Sequence, residues 1–171
     1  HGRVHLWAPF SPLSDCFNPL DYIRIGTVNE RDDVELITSL IVPDNANGED
    51  DFWNAQAREV LMGVILYVLH TRRPERRTLA EVRHLLTLSE EAFDEMLVGM
   101  VHHGHAIIRR VAHMLQNQES KLRSNVMATV QSKTRIWDSP LLNEVTKKSN
   151  FSFGNLRNFT ETVYLVVPPE H

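Results

Sequence analysis

With one cysteine, Cys16, in 171 residues, the chain cannot close a disulfide on itself. The count suits a reducing compartment, and with no activating neighbour visible in the sequence the thiol reads as inert. Glycine is scarce, and none of the seven glycines precedes a lysine. That excludes a Walker A loop, in which Gly, four residues and Gly-Lys-Ser/Thr let backbone amides and the lysine cradle phosphates. No apolar strand ends in Asp-Glu to hold magnesium. The chain by itself is therefore expected neither to bind nor to hydrolyse nucleotide, and no cofactor, metal or catalytic residue is expected in it.

Long hydrophobic runs are missing too. The longest, residues 60–69, spans ten positions, half of the ~20 that a membrane-crossing helix needs. The first residues carry no charged lead followed by an apolar stretch, so a signal peptide is not expected. No segment is of low complexity, and no repeat recurs at solenoid periods.

The composition, 42% hydrophobic and 23% charged, suits one domain with enough apolar material for a core. The net charge of -4 is unevenly spread. Residues 1–104 carry 9 Lys/Arg against 17 Asp/Glu, and residues 105–171 carry 9 against 5. A polarised domain of this kind can present two faces to two partners, although clustered solvated charge gives the same count.

Periodicity gives a largely helical chain. Val4-His5-Leu6-Trp7 reads as a short strand stopped by Pro9, and Asn18-Pro19-Leu20-Asp21 as a turn opening a short helix. Asn29 is placed to cap a first helix with an acidic first turn and an apolar stripe of Val34, Ile37, Leu40 and Ile41, ended by Pro43. After a polar loop at residues 44–48, Glu49, Asp50 and Asp51 open a second helix. It is apolar almost all round through residues 60–69, which marks a central helix. Thr78 and Glu81 form a capping box for a third, Ser89 caps a fourth that Gly104 stops, and Ile107, Ile108, Val111 and Leu115 line a fifth. A sixth is expected over residues 119–137, with one more turn at 141–145 and a short helix or loop at 151–159. The run Thr162-Val163-Tyr164-Leu165-Val166-Val167, closed by Pro168-Pro169, reads as a strand buried on both faces, as in a parallel sheet. Only Val4–Trp7 is available to pair with it, and an isolated two-stranded unit is marginal in water. The expectation is an all-α domain of six or seven helices inserted between two strands of a larger sheet.

Three groups of residues carry candidate chemistry. Arg72, Arg73, Arg76 and Arg77 surround Pro74-Glu75 between the second and third helices; four guanidiniums on a loop can grip phosphates, or can be paired with nearby acids. Lys121, Asn125, Ser132 and Arg135 share one face of the sixth helix, which suits nucleic acid or a partner protein as well as plain solvent. Neither group comes with a sequence-reading motif. His102-His103-Gly104-His105 invites a metal reading, but adjacent side chains on a helix diverge by about 100°. No cysteine or paired carboxylate is seen to complete that site, so the sequence argues against a metal there.

Phe17-Asn18-Pro19-Leu20-Asp21-Tyr22-Ile23, Asp51-Phe52-Trp53 leading through Ala57-Arg58 into the apolar helix, Thr78-Leu79-Ala80-Glu81-Val82-Arg83 and the closing Thr162-Val163-Tyr164-Leu165-Val166-Val167-Pro168-Pro169-Glu170 together resemble the coupling proteins of type IV secretion and conjugation systems (TraG/TraD-like). The resemblance covers nearly the whole chain. It implies strand and loop of a RecA-like nucleotide-binding domain at residues 1–28, an inserted all-α domain at 29–160, and a further strand of the nucleotide-binding domain at 161–171. It further implies an inner-membrane-anchored bacterial ATPase acting as a homohexamer, with ATP and Mg held outside this segment. The all-α domain would then be cytoplasmic and would recruit DNA–relaxase complexes or protein effectors to the secretion channel. The alternative function is a free-standing helical protein-binding adaptor or chaperone with no associated ATPase.

Overall fold

The computed structural model describes residues 2–44 and 51–167. The expected loop at residues 45–48, Glu49, Asp50 and the closing prolines lie outside the described residues. Among those described are seven α-helices and two strands. The strands are β1 (Arg3–Trp7) and β2 (Glu161–Leu165), paired parallel from Arg3 opposite Glu161 to Trp7 opposite Leu165. The expected pairing forms, but the expected burial does not. Val4, Tyr164 and Leu165 are 65%, 58% and 60% exposed, because among the described residues no further strand or helix layer covers the two-stranded ribbon.

Between the strands the chain is helical. One 3₁₀ turn, Pro19–Tyr22, is capped by Asn18, whose Oδ1 accepts from the Leu20 amide at 3.1 Å. Helix α1 (Glu30–Ile41) starts where the acidic run predicts, yet the Asn29 side chain does not cap it. The Glu30 side chain instead reaches back out of the helix, accepting from the Gly26 amide at 2.9 Å. That turn needs Gly26 at φ +73, a left-handed conformation few side chains accept. Val34 and Ile37 are buried and Ile41 packs against the core, while Leu40 stays exposed.

Helix α2 (Asp51–Thr71) is the central rod. Val60, Leu61, Met62, Val64, Ile65, Leu66, Val68 and Leu69 are all buried, because α1 and the later helices enclose it. A 3₁₀ turn at Pro74–Arg76 leads to α3 (Leu79–Leu86), with the Thr78 hydroxyl accepting from the Glu81 amide at 3.1 Å. Only half of the capping box forms, since the Glu81 carboxylate is taken by two arginines. Next come α4 (Glu90–Val101), capped by Ser89 through the Ala92 amide, and α5 (Ala106–Asn117). Gly104 lies in the turn between them without the positive φ of a helix-stopping cap.

Helix α6 (Ser120–Lys133) ends before the predicted boundary. At Thr134 the chain tightens into a 3₁₀ turn, Arg135–Asp138, which drives Trp137 into the core. Thr134 is buried, its hydroxyl bonding the Val130 carbonyl at 2.8 Å and accepting from Arg83 at 3.1 Å. Helix α7 (Pro140–Thr146) and a 3₁₀ turn at Phe153–Arg157 complete the return to β2.

Helix α2 packs against α1, α3, α5 and α6. Its closest approach is at Gly63, where a Cβ would lie 2.6 Å from Val111 Cγ1 of α5. A separate aromatic group joins the strands to the helical body. Phe151 stacks on His5 with centroids 5.1 Å apart, and Phe17 meets Trp7, Phe151 and Phe153 at 5.8, 5.6 and 5.0 Å.

Candidate partner-binding surface

The arginine loop is built around one carboxylate. Glu81, from the first turn of α3, receives Arg72 Nε on Oε1 and Arg76 Nη2 on Oε2, each at 2.7 Å. Burial pushes the Glu81 carboxyl up, and the two guanidiniums outweigh it, so the net shift is downward. Arg77 turns inward, donating from Nε to the Arg72 carbonyl at 3.1 Å, while its own carbonyl accepts from Asn18 Nδ2 at 2.8 Å. Arg72 also lies over the Tyr67 ring. Arg73 differs: it is exposed and has no ion-pair partner among the described residues.

Three of these four arginines therefore hold the loop to α3 and to the Asn18 turn. Their first chemistry is structural, and Arg73 is the group whose charge faces solvent without competition. Arg76 keeps 62% of its side chain exposed despite its ion pair.

On α6, Lys121, Asn125 and Ser132 are all exposed. Arg135 is exposed too, but it sits past the helix end in the 3₁₀ turn and so leaves the helical face on which the sequence placed it. Neither Lys121 nor Arg135 has an ion-pair partner among the described residues. Arg123 does, pairing with Asp94 of α4 and covering the Phe93 ring. It borders a cleft of about 460 Å³ between α4 and α6, lined also by Leu86, Met127 and Gln131.

Residues from the motifs that carry the family resemblance prove to be fasteners. Arg83 makes a two-pronged pair with Asp138, both contacts 2.8 Å, and donates to the Gln131 carbonyl at 2.7 Å. Arg58 donates to the Val42 carbonyl at 3.1 Å and pairs with Asp44 at 2.6 Å, binding α2 to the end of α1. Cys16 directs its thiol at the Glu144 carbonyl, 3.8 Å away.

The histidine run is split by the fold. His102 is exposed, whereas His105 turns toward Glu30, its Nε2 3.0 Å from Oε2. His70, from the end of α2, lies 2.8 Å from Glu30 Oε1. Burial pushes the Glu30 carboxyl up, and hydrogen bonds from Gly26, His105 and His70 overcome that, leaving it below its usual value. His103 accepts the His105 amide on Nδ1 at 3.1 Å, and burial with the two neighbouring imidazoles pushes its pKa down. The histidine run put His105 in view while arguing against a metal there, and it gave no sign of Glu30 or His70, which stand 75 and 35 residues before it. Only the packing of α1, α2 and α5 brings them together.

Comparison with known proteins supplies the family. The model for the type IV secretory system conjugative DNA transfer family matches residues 1–171. Two proteins of Escherichia coli named conjugal transfer protein TraG are similar. One is 27% identical over 162 residues, covering 90% of this chain and 26% of that protein. The other is 28% identical over 174 residues, covering 94% and 27%. The chain thus spans about a quarter of the length of the curated relatives it matches. With the family model matching from end to end, the chain belongs to the type IV secretory system conjugative DNA transfer family.

Proposed function

We propose that residues 29–160 form the substrate-recognition domain of a conjugative coupling protein, recruiting DNA–relaxase complexes or protein effectors to a secretion channel. The observation that carries this reading is the parallel pairing of β1 and β2, which bracket all seven described helices in the chain. An inserted domain needs its entry and exit strands side by side. The exposed apolar residues of both strands, Leu6 and Leu165 among them, are the surface that a larger sheet would cover. On this reading residues 1–28 and 161–171 belong to a RecA-like nucleotide-binding domain. ATP, Mg, a homohexameric assembly and an inner-membrane anchor then belong to the parent protein.

For the DNA-facing surface the geometry favours Arg73, Lys121 and Arg135, the cations of the eight candidate residues with neither an ion pair nor a backbone tether to give up. Phosphate contacts by such groups weaken steeply with salt. The test is binding of fluorescent single- and double-stranded oligonucleotides to the isolated chain at low and moderate salt. Binding at low salt should fall severalfold in the R73A/K121A/R135A variant. R72A should leave binding close to wild type while lowering Tm, because Arg72 serves Glu81. Absence of low-salt binding by the wild-type chain refutes direct DNA contact and leaves a protein cargo.

A further inference from the structure

We propose that Glu30, His70 and His105 form a binding site for a divalent transition-metal ion of the zinc class, pinning the start of α1, the end of α2 and the entry to α5. This goes beyond the recruitment role and holds whatever cargo the domain carries. The three side chains come from three separate elements, and their ligand atoms lie within 4.8 Å of one another. Atoms bound to one zinc at about 2.0–2.1 Å stand within roughly 4 Å of each other, so only a small contraction is needed.

Two imidazole nitrogens and one carboxylate oxygen are a donor set that suits zinc, nickel or iron and disfavours magnesium and calcium, which prefer oxygen. Glu30 is 6% exposed, and a carboxylate so buried needs compensation by charge or hydrogen bonds. A dication replaces the two ring N–H donors with a full counter-charge. The Gly26 amide stays on Oε1 at 2.9 Å and orients the ligand. Both imidazoles keep about a fifth of their side-chain surface in solvent, 23% for His70 and 21% for His105. That leaves an open side for entry and for water in the remaining coordination positions.

One feature limits the affinity. Binding through Nε2 places each ring's remaining proton on Nδ1, and metal-bound histidines ordinarily give that proton to an acceptor. His105 Nδ1 is buried and has no partner among the described residues. Affinity should therefore be about 10–100-fold lower than at a fully supported site.

The experiment uses the chain without an affinity tag, stripped with EDTA and titrated calorimetrically with ZnCl₂. One equivalent should bind, and at about a hundredfold excess over Kd the Tm should rise by about 5–10 °C, with EDTA reversing the rise. MgCl₂ should do neither. CoCl₂ should give a visible ligand-field band without thiolate charge transfer, since Cys16 is outside the site. H105Q and E30Q should lose the band, while H102A, which removes an exposed imidazole, should keep it. Less than half an equivalent of zinc on the folded wild-type chain overturns the proposal without reference to any variant. Loss of the cobalt band in H102A, or its persistence in H105Q, overturns it as well, because the ion would then sit elsewhere.

Discussion

Asp33 is held by a single neighbour in three ways. Arg24 donates from Nη2 to Oδ1 at 2.6 Å, and from Nε and its backbone amide to Oδ2 at 2.8 and 3.0 Å. The guanidinium bond, helped by the backbone amide, overcomes burial and lowers the carboxyl from 3.8 to about 2. A carboxyl with a depressed folded pKa contributes stability above its unfolded pKa and loses it as pH falls through the folded one. The Arg24 pair therefore supports the fold at neutral pH and fails between about pH 4 and pH 2. Thermal melts across that range should show wild-type Tm falling toward that of D33N, with the gap largest at pH 7. A constant gap from pH 7 to pH 2 would mean that Asp33 acts through packing alone. Residue-scale features of this kind were half legible: the acidic first turn of α1 announced itself, but no spacing rule pairs Asp33 with Arg24, nine residues earlier in a loop.

At the scale of elements, the sequence was read best where local rules operate. Thr78, Ser89 and the apolar run of residues 60–69 gave α3, α4 and the central α2 because capping and periodicity are decided within a few residues. It was read worst where tertiary contacts compete. The capping box at Thr78 lost its second bond because Glu81 met two guanidiniums, and α6 shortened because Thr134 and Trp137 were drawn inward. Helix crossing at Gly63 was likewise invisible, since a glycine within a helix reads as a mere weakness. In the structure it admits α5: an added Cβ would meet Val111 Cγ1 at 2.6 Å and Cβ at 2.7 Å. Val111 is stiff at χ1 and its Cβ moves only with the backbone, so the helices must separate. Overpacking costs about 1–3 kcal/mol, against about 1 kcal/mol of helix propensity regained. G63A should be net destabilised, by up to about 2 kcal/mol, in urea unfolding. G63A combined with V111A should lose less than the sum of the two single changes, because the cavity of one accepts the methyl of the other. Simple additivity would show that the two side chains do not share the space.

The whole molecule divides its apolar material in two. The large core surrounds α2, while a smaller aromatic group of Trp7, Phe17, Phe151 and Phe153 holds the strand pair. Sequence alone predicted both strands and their partnership, since no other apolar run was available to pair. It did not predict the fastening, because the aromatics lie 134 residues apart from Phe17 to Phe151 and share no periodicity. Phe151 is the hub: 6% exposed, stacked on His5 and touching both Phe17 and Phe153. Truncating a buried Phe typically costs about 3–5 kcal/mol, and here the loss should fall mainly on the ribbon. In F151A, amides paired between the strands, such as Val166 to the Trp7 carbonyl, should exchange with solvent orders of magnitude faster. Amides within residues 60–69 should keep most of their protection, since Phe151 lies outside the core around them. That separation is what an inserted domain requires, for its helical body must stay folded while the strands follow the sheet they join. Equal loss of protection in α2 and the ribbon would show one cooperative unit, and would remove the structural support for an independent recognition domain.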